Sequence, residues 1–226
     1  MDPLEVQRKV FDNEVLERSR NPRHAAMLSE TVAGLLASCP QGRVLDLGGY
    51  SGDYTAGRKA VVFDLSWNAL KEAKRRGLPA VQGDFHHLPF KPRAFAAVVA
   101  CHVLEHSPDP SGVLREIGAL LPEGGALALL LPNAAGAGQI WKLLAHGDVK
   151  PAGNRPGEPP QHLHQYTRRN LEPLLAAAAF RVSRWAGDCV FFPGVFRWRA
   201  YGLARLMGRL LPSRAESLAV LCRKAR

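Results

Sequence analysis

Short apolar runs and longer amphipathic runs alternate through the middle of the chain. RVLDLG (43–48), AVVFD (60–64), PAVQGD (79–84), FAAVVAC (95–101) and ALALLLP (126–132) are of strand length and rich in Val, Leu, Ala and Phe. Between them, 67–76 and 109–121 carry apolar residues at helical spacing. Unbroken apolar strands separated by helices predict a parallel sheet covered on both faces. Upstream, residues 4–38 predict two helices broken at Asn21-Pro22. The second sets Ala25, Met27, Leu28, Val32, Leu35 and Leu36 along one face and stops at Cys39-Pro40. Downstream, a Pro-, Gly- and Gln-rich loop runs from Gly147 to Gln161. A helix over 167–179, a strand over 180–185, a long connection and a last strand over 217–222 complete the pattern. With no internal repeat and no second core, the pattern predicts one domain over 1–226.

The first strand carries the most chemistry. In RVLDLGGYSGDYT the strand ends at Asp46, and glycines follow at 48, 49 and 52. Glycine tolerates positive φ and lets a ligand approach the backbone without meeting a Cβ. The second strand ends in Asp64, where an acid can accept both hydroxyls of a ribose. The dinucleotide spacing GxGxxG fails in either register: from Gly48 the third position is Asp53, and from Gly49 the second is Ser51. A nucleoside without a pyrophosphate suits the loop better, and a tight strand-to-helix turn with no ligand remains the alternative at this point. The third strand ends in Gly83-Asp84-Phe85, where an acid beside an aromatic can bond an adenine amino group and pack on its face.

Composition narrows the class. With 226 residues, 46% hydrophobic and 22% charged, the chain can bury a sizeable core and is not disordered as its main state. No apolar run approaches the roughly 18 residues of a membrane span, and MDPLEVQRKV lacks the apolar centre of a signal peptide. Cys39, Cys101, Cys189 and Cys222 lie far apart with no CxxC pair, which argues against a zinc ribbon or disulfide framework and for reduced thiols in the cytoplasm. Charge changes the picture more. The net charge is +10, and from Arg181 to Arg226 ten basic residues face only Asp188 and Glu216. Such an end attracts phosphates, nucleic acid or an anionic membrane, though surface solubility explains it equally well.

Further along stand LPFKPRAF before the fourth strand, CHVLEHSPDP after it, and LLPEGGALALLLPN around the fifth. Taken with LDLGGYSG, these resemble, in order, the LDxGxGxG, LPFxxxxFDxV, VLEH, LxPGG and xPN of class I S-adenosylmethionine (SAM)-dependent methyltransferases, in the type 11 and type 23 group acting on small molecules and lipids. The resemblance covers about residues 43–185. It implies an α/β fold: a Rossmann-like, doubly wound, seven-stranded sheet, mostly parallel with an antiparallel final strand. It implies SAM as methyl donor and S-adenosylhomocysteine (SAH) as product. By position, Gly48, Gly49 and Gly52 would lie along the methionine part of SAM, with Asp46 orienting the loop. Asp64 would hold the ribose, with Leu65 beside it at the cofactor, Asp84 and Phe85 the adenine, and Cys101 and His102 would border the cofactor through the backbone. On that reading, 1–42 supplies N-terminal helices, 43–132 the SAM-binding half and 133–226 the acceptor half. Three departures stand out. Tyr50 replaces the middle glycine, so the loop must bend differently or the ring must point away. Ala96 replaces an acid before the fourth strand. Only eighteen positions separate Asp46 from Asp64, so the helix after the glycine loop must be short or missing.

Methyl transfer from a sulfonium is a direct displacement, for which alignment can supply roughly 7–11 kcal/mol. A general base adds about 10²–10⁴-fold when the acceptor must lose a proton, and histidine suits that role. QHLHQYT resembles the HxxxFT entry to the helix after strand five, which in the family faces the acceptor, so His162 and His164 are candidate bases. His106 and, after it, His102 follow from the VLEH turn, and Tyr166 reads as packing. Spacings i, i+2 (His162, His164) and i, i+4 (His102, His106) would permit a metal, but no acidic cluster accompanies them in the sequence, and none is expected.

The segment 195–211 places Phe196, Ala200, Leu203, Met207 and Leu210 on one helical stripe, with Arg205 and Arg209 off it. It reads either as a surface helix docked on the core or as a lid or interfacial helix, the latter giving peripheral contact with the inner face of a membrane. Nucleic acid is not expected as a partner, because Cys101-His102-Val103-Leu104 stands where base-methylating enzymes carry an Asn/Asp-Pro-Pro-aromatic turn. The expected function is SAM-dependent methylation, at oxygen, of a small-molecule or lipid-linked acceptor. The alternatives are a SAM-fold binding or scaffold protein without turnover and a nucleic-acid methyltransferase.

Overall fold

The computed structural model describes residues 22–146, 162–192 and 200–225. Helix α1 (Pro22–Leu36) leads into β1 (Val44–Leu47), β2 (Ala60–Asp64), α2 (Trp67–Arg75), β3 (Ala80–Gln82) and β4 (Ala97–Cys101). Then come α3 (Pro110–Leu120), β5 (Ala126–Pro132), α4 (Ala137–His146), α5 (Arg168–Ala177), β6 (Phe180–Gly187), α6 (Tyr201–Leu210) and β7 (Ser217–Lys224). The seven strands form one sheet in the order β3-β2-β1-β4-β5-β7-β6. All neighbours pair in parallel except β7, which is antiparallel to both β5 and β6. Strand order reverses between β1 and β4, and the crevice at the carboxyl ends of those strands is where such sheets bind ligands.

The period-2 alternation of strands gives the two faces different textures. Leu127, Leu129 and Leu131 of β5 join Leu45, Leu47, Phe63 and Val98 on one face, under Val113, Leu114 and Ile117 of α3 and Leu171 and Leu175 of α5. The other face carries Ala60, Ala97, Ala126 and Ala128 beside Val99 and Leu130. Small residues let α1 approach closely and bury Leu28, Val32, Leu35 and Leu36 there. Truncating one of these leucines to alanine costs about 2–5 kcal/mol.

Local capping sets most helix starts. Ser66 accepts from the Ala69 amide at the head of α2, Asp109 from Gly112 at α3, and Thr167 with Asn170 forms a capping box at α5. Helix α4, which the hydrophobic pattern did not predict, has a remote partner instead: Glu216 Oε1 accepts from the Gly138 amide at 2.8 Å. The glycine loop is followed by a single 3-10 turn, Asp53–Thr55, in place of a helix. Strands β6 and β7 each run two residues further than predicted, to Gly187 and Lys224. Helix α6 docks through Ala204 and Gly208; of the predicted stripe, Ala200 packs beside Ala204, whereas Leu203 and Leu210 are exposed. The predicted first helix before Pro22, the loop at 147–161 and residues 195–199 of the amphipathic segment lie outside the described residues.

Candidate functional site

A cleft opens at the carboxyl ends of the central strands. Its floor and walls come from Gly48 and Tyr50 after β1, the end of β2 (Phe63, Asp64, Leu65), Gly83 and Phe85 after β3, His102, Val103 and His106 after β4, and His162 ahead of α5.

The loop after β1 is packed so closely that two positions cannot carry a side chain. Gly48 has φ 63° and donates its amide to the Phe63 carbonyl at 2.8 Å; a Cβ there would sit 2.6 Å from Val103 Cγ2. At Gly49 a Cβ would lie 2.4 Å from Asp46 Cγ. Asp46 is buried beneath the loop, where its Oδ2 accepts from the Thr55 hydroxyl at 2.7 Å. Gly52 closes the turn by donating to the Gly49 carbonyl at 2.8 Å. Tyr50 resolves the first departure by bending: its backbone takes φ 54°, a left-handed conformation uncommon outside glycine. That bend points its amide at Asp64 Oδ2, 2.9 Å away, while its side-chain hydroxyl is buried. Asp64 Oδ1 accepts from the Ser66 amide at 2.8 Å, so two backbone donors fix the carboxylate at the lip of the cleft.

The other positions expected at the cofactor divide. Leu65, Phe85 and His102 line the cleft. Asp84 does not: its Oδ1 is 2.7 Å from His86 Nδ1, and His86 Nε2 is 3.0 Å from the Ser107 hydroxyl. Sequence reading passed over His86, which ties the loop after β3 to the loop after β4. Cys101 is buried in the core on the α1 side of the sheet.

The acceptor-side histidines also divide. His102 adopts φ 55° and places Nδ1 3.2 Å from Glu105 Oε1. Glu105 is fully buried, the acid that the sequence pattern failed to show beside the histidines. Its carbonyl accepts the amides of Leu163 (2.7 Å) and His164 (3.3 Å), which draws the segment before α5 onto the cleft. The His106 and His162 rings meet edge to face with centroids 4.8 Å apart. Burial lowers the His162 pKa to about 4, against an opposing pull from Glu105 and with help from His106 and His102. Burial pushes the Glu105 carboxyl up, but the hydrogen bond from His102 and the nearby imidazoles outweigh it and hold it below the usual carboxylate range. His164 does not line the cleft; its ring lies 6.2 Å from that of Tyr166. Tyr166 is buried and donates to the Leu104 carbonyl at 3.2 Å, and burial raises its pKa.

A cradle without room for Cβ atoms, a backbone-pinned carboxylate and an aromatic wall fit a nucleoside-bearing donor. The methyltransferase domain family matches residues 8–184, most of the chain. The chain belongs to the class I SAM-dependent methyltransferases. Among solved structures, this methyltransferase is similar to 1,6-didemethyltoxoflavin-N1-methyltransferase of Burkholderia thailandensis, which holds 1,6-didemethyltoxoflavin and SAH. The TM-score is 0.64 at 20% identity, over 98% of this chain and 88% of that one. The expected fold, with its antiparallel final strand, is the one observed. An uncharacterised protein of Mycobacterium tuberculosis is 34% identical over 120 residues, covering 53% of this chain and 39% of that protein. The ubiquinone biosynthesis O-methyltransferase of Bordetella pertussis is 32% identical over 117 residues, covering 46% of this chain and 47% of that enzyme. The methyltransferase therefore spans less than half the length of these curated relatives.

Proposed function

We propose that this methyltransferase, acting as one domain with a donor half (43–132) and an acceptor half (133–226), methylates a hydroxyl oxygen of a small, largely apolar acceptor. When bound, SAM supplies a methyl group made electrophilic by its sulfonium. The chain's own residues do the rest. Gly48, Gly49 and Gly52, shaped from below by Asp46, hold the backbone low enough for the donor; Asp64 and Leu65 orient its ribose; Phe85 covers one face of the adenine. His102 takes the proton from the acceptor hydroxyl, and Glu105 fixes the ring's tautomer and stabilises the imidazolium that forms.

The observation that carries this reading is His102. A non-glycine residue held at φ 55° is uncommon, and strained positions of this kind cluster at active sites. Here the strain aims an imidazole backed by a buried carboxylate into the cleft that Asp64 lines. Phe63, Leu65, Phe85 and Val103 make the cleft apolar, which suits a phenolic or quinol-like acceptor. The likeness to a ubiquinone biosynthesis O-methyltransferase supports the same class.

Exposed apolar side chains add a membrane-proximal reading. Leu203, Leu206 and Leu210 stand out from α6 near exposed Arg209, and α4 exposes Trp141, Leu143 and Leu144. Among the described residues no helix is long and apolar enough to cross a membrane. The exposed leucines beside Arg209 support our reading of a cytoplasmic protein in peripheral contact with an anionic surface that delivers a lipid-like acceptor.

The base assignment is tested by methyl transfer to a panel of phenols and hydroquinones. His102→Ala lowers kcat by about 10²–10⁴-fold while SAH affinity stays within threefold. If His164→Ala lowers kcat and His102→Ala does not, the base lies beside Tyr166 and the assignment fails.

A further inference from the structure

We propose that Glu105, His106 and His162 bind a divalent transition-metal ion, zinc by ligand type, on the acceptor side of the cleft. One ligand atom from each of the three lies within 4.8 Å of the others, the grouping of this kind found among the described residues. Ligand atoms around a tetrahedral ion at about 2.0–2.2 Å sit roughly 3.3–3.5 Å apart, so side-chain closure of about 1 Å completes the set. A second observation points independently to a cation. The Glu105 side chain is 1% exposed, one oxygen faces His102, and the other, Oε2, is buried with no hydrogen-bond partner. A buried carboxylate oxygen left without a donor is costly, and a coordinated cation satisfies it.

The donor set selects the ion. Two imidazoles and one carboxylate suit zinc or its neighbours, whereas magnesium and calcium favour oxygen alone. His102, on the other Glu105 oxygen, becomes the outer partner that orients a ligating carboxylate. Three protein ligands leave a fourth position, and since His106 and His162 both line the cleft it opens toward the acceptor. A hydroxyl oxygen placed there loses its proton more readily. Resting on the function proposed above, this narrows the acceptor to molecules with an oxygen able to ligate, such as phenols bearing a second oxygen on the adjacent carbon.

The test uses the full untagged chain, stripped of metal, without SAM. Zinc is titrated by calorimetry and cobalt(II) by visible absorption. One equivalent per chain binds, with the absorption of a low-symmetry, four-coordinate cobalt centre. Loss of an outer-shell partner alone costs about 10–100-fold in affinity, so His162→Ala and Glu105→Gln, which remove ligands, weaken binding by about 100-fold or more. His87→Ala, at an exposed histidine outside the cluster, changes nothing. SAH binding by each variant reports its folding; if Glu105→Gln fails there, wild type and His162→Ala decide. No uptake by wild type, or equal uptake by His162→Ala, overturns the metal site. SAH binding that survives such a result leaves the methyltransferase reading intact, whereas metal uptake without SAH binding removes that reading and keeps the site.

Discussion

Asp64→Asn is the substitution most informative about the donor site, because the side chain keeps its size and loses only charge and one acceptor atom. Both carboxylate oxygens accept a backbone amide, Oδ2 from Tyr50 at 2.9 Å and Oδ1 from Ser66 at 2.8 Å. Asparagine offers one oxygen and one NH2, so whichever way the amide turns, one backbone N–H faces another donor. Losing one charge-assisted bond costs about 1.5–3 kcal/mol, and the surviving bond becomes an ordinary neutral one, giving roughly 2–4 kcal/mol in total. In the proposed donor site, binding requires Tyr50 and the glycine loop in place, so that cost passes into SAH affinity as a loss of about 30- to 700-fold. Calorimetric titration with SAH measures it, and urea unfolding reports how much of the cost appears as lost stability. Glu72→Gln, in an exposed pair with Arg75, serves as the control and leaves affinity unchanged. An Asp64→Asn protein that binds SAH within threefold of wild type refutes the reasoning.

Two further outcomes follow from the same geometry. Gly49→Ala forces a Cβ against Asp46 and destabilises the protein by about 1–3 kcal/mol in urea, whereas Gly34→Ala, exposed in α1 with open space for a Cβ, stabilises it by about 0.5–1 kcal/mol; equal effects contradict the cradle. The His162 ring has its pKa lowered from 6.5 to about 4, so the unfolded chain takes up a proton first as pH falls. Stability is then full above about pH 6.5 and declines between there and pH 4. The difference is worth about 3 kcal/mol for a fully buried ring and roughly 1–2 kcal/mol after screening of this part-buried one. In metal-free protein, His162→Gln removes that much of the acid slope; identical slopes in urea at pH 7 and 4.5 count against the burial of the ring.

Much of the sheet was legible because parallel strands buried on both faces read as continuous apolar runs, and the glycine loop because close packing there leaves no alternative residue. Helix α4 was not, since its amide partner, Glu216, lies 78 positions away and no local cap marks its start. Helix α6 misled for a different reason. Its pattern weights large side chains, yet docking selects small ones: a Cβ at Gly208 would lie 2.7 Å from Cys189 Cα, so the backbones meet and the leucines turn outward. Within the site, the positions on β1 and β2 could be placed from strand ends alone. The histidines could not. His162 and His164 are chemically alike and two residues apart, and only the Glu105 carbonyl, which accepts the Leu163 and His164 amides, decides which ring reaches the cleft. Glu105 itself sits in the VLEH turn, three residues from His102, but its pairing depends on the left-handed bend at that histidine.

Titration of the wild-type chain with SAM and with SAH at moderate salt tests the central claim most directly. Binding of both at micromolar concentration, with one site per chain, is the result expected of a cradle that Tyr50 completes and does not block. No heat and no binding at millimolar ligand would contradict the donor site and, with it, methyl transfer by this chain.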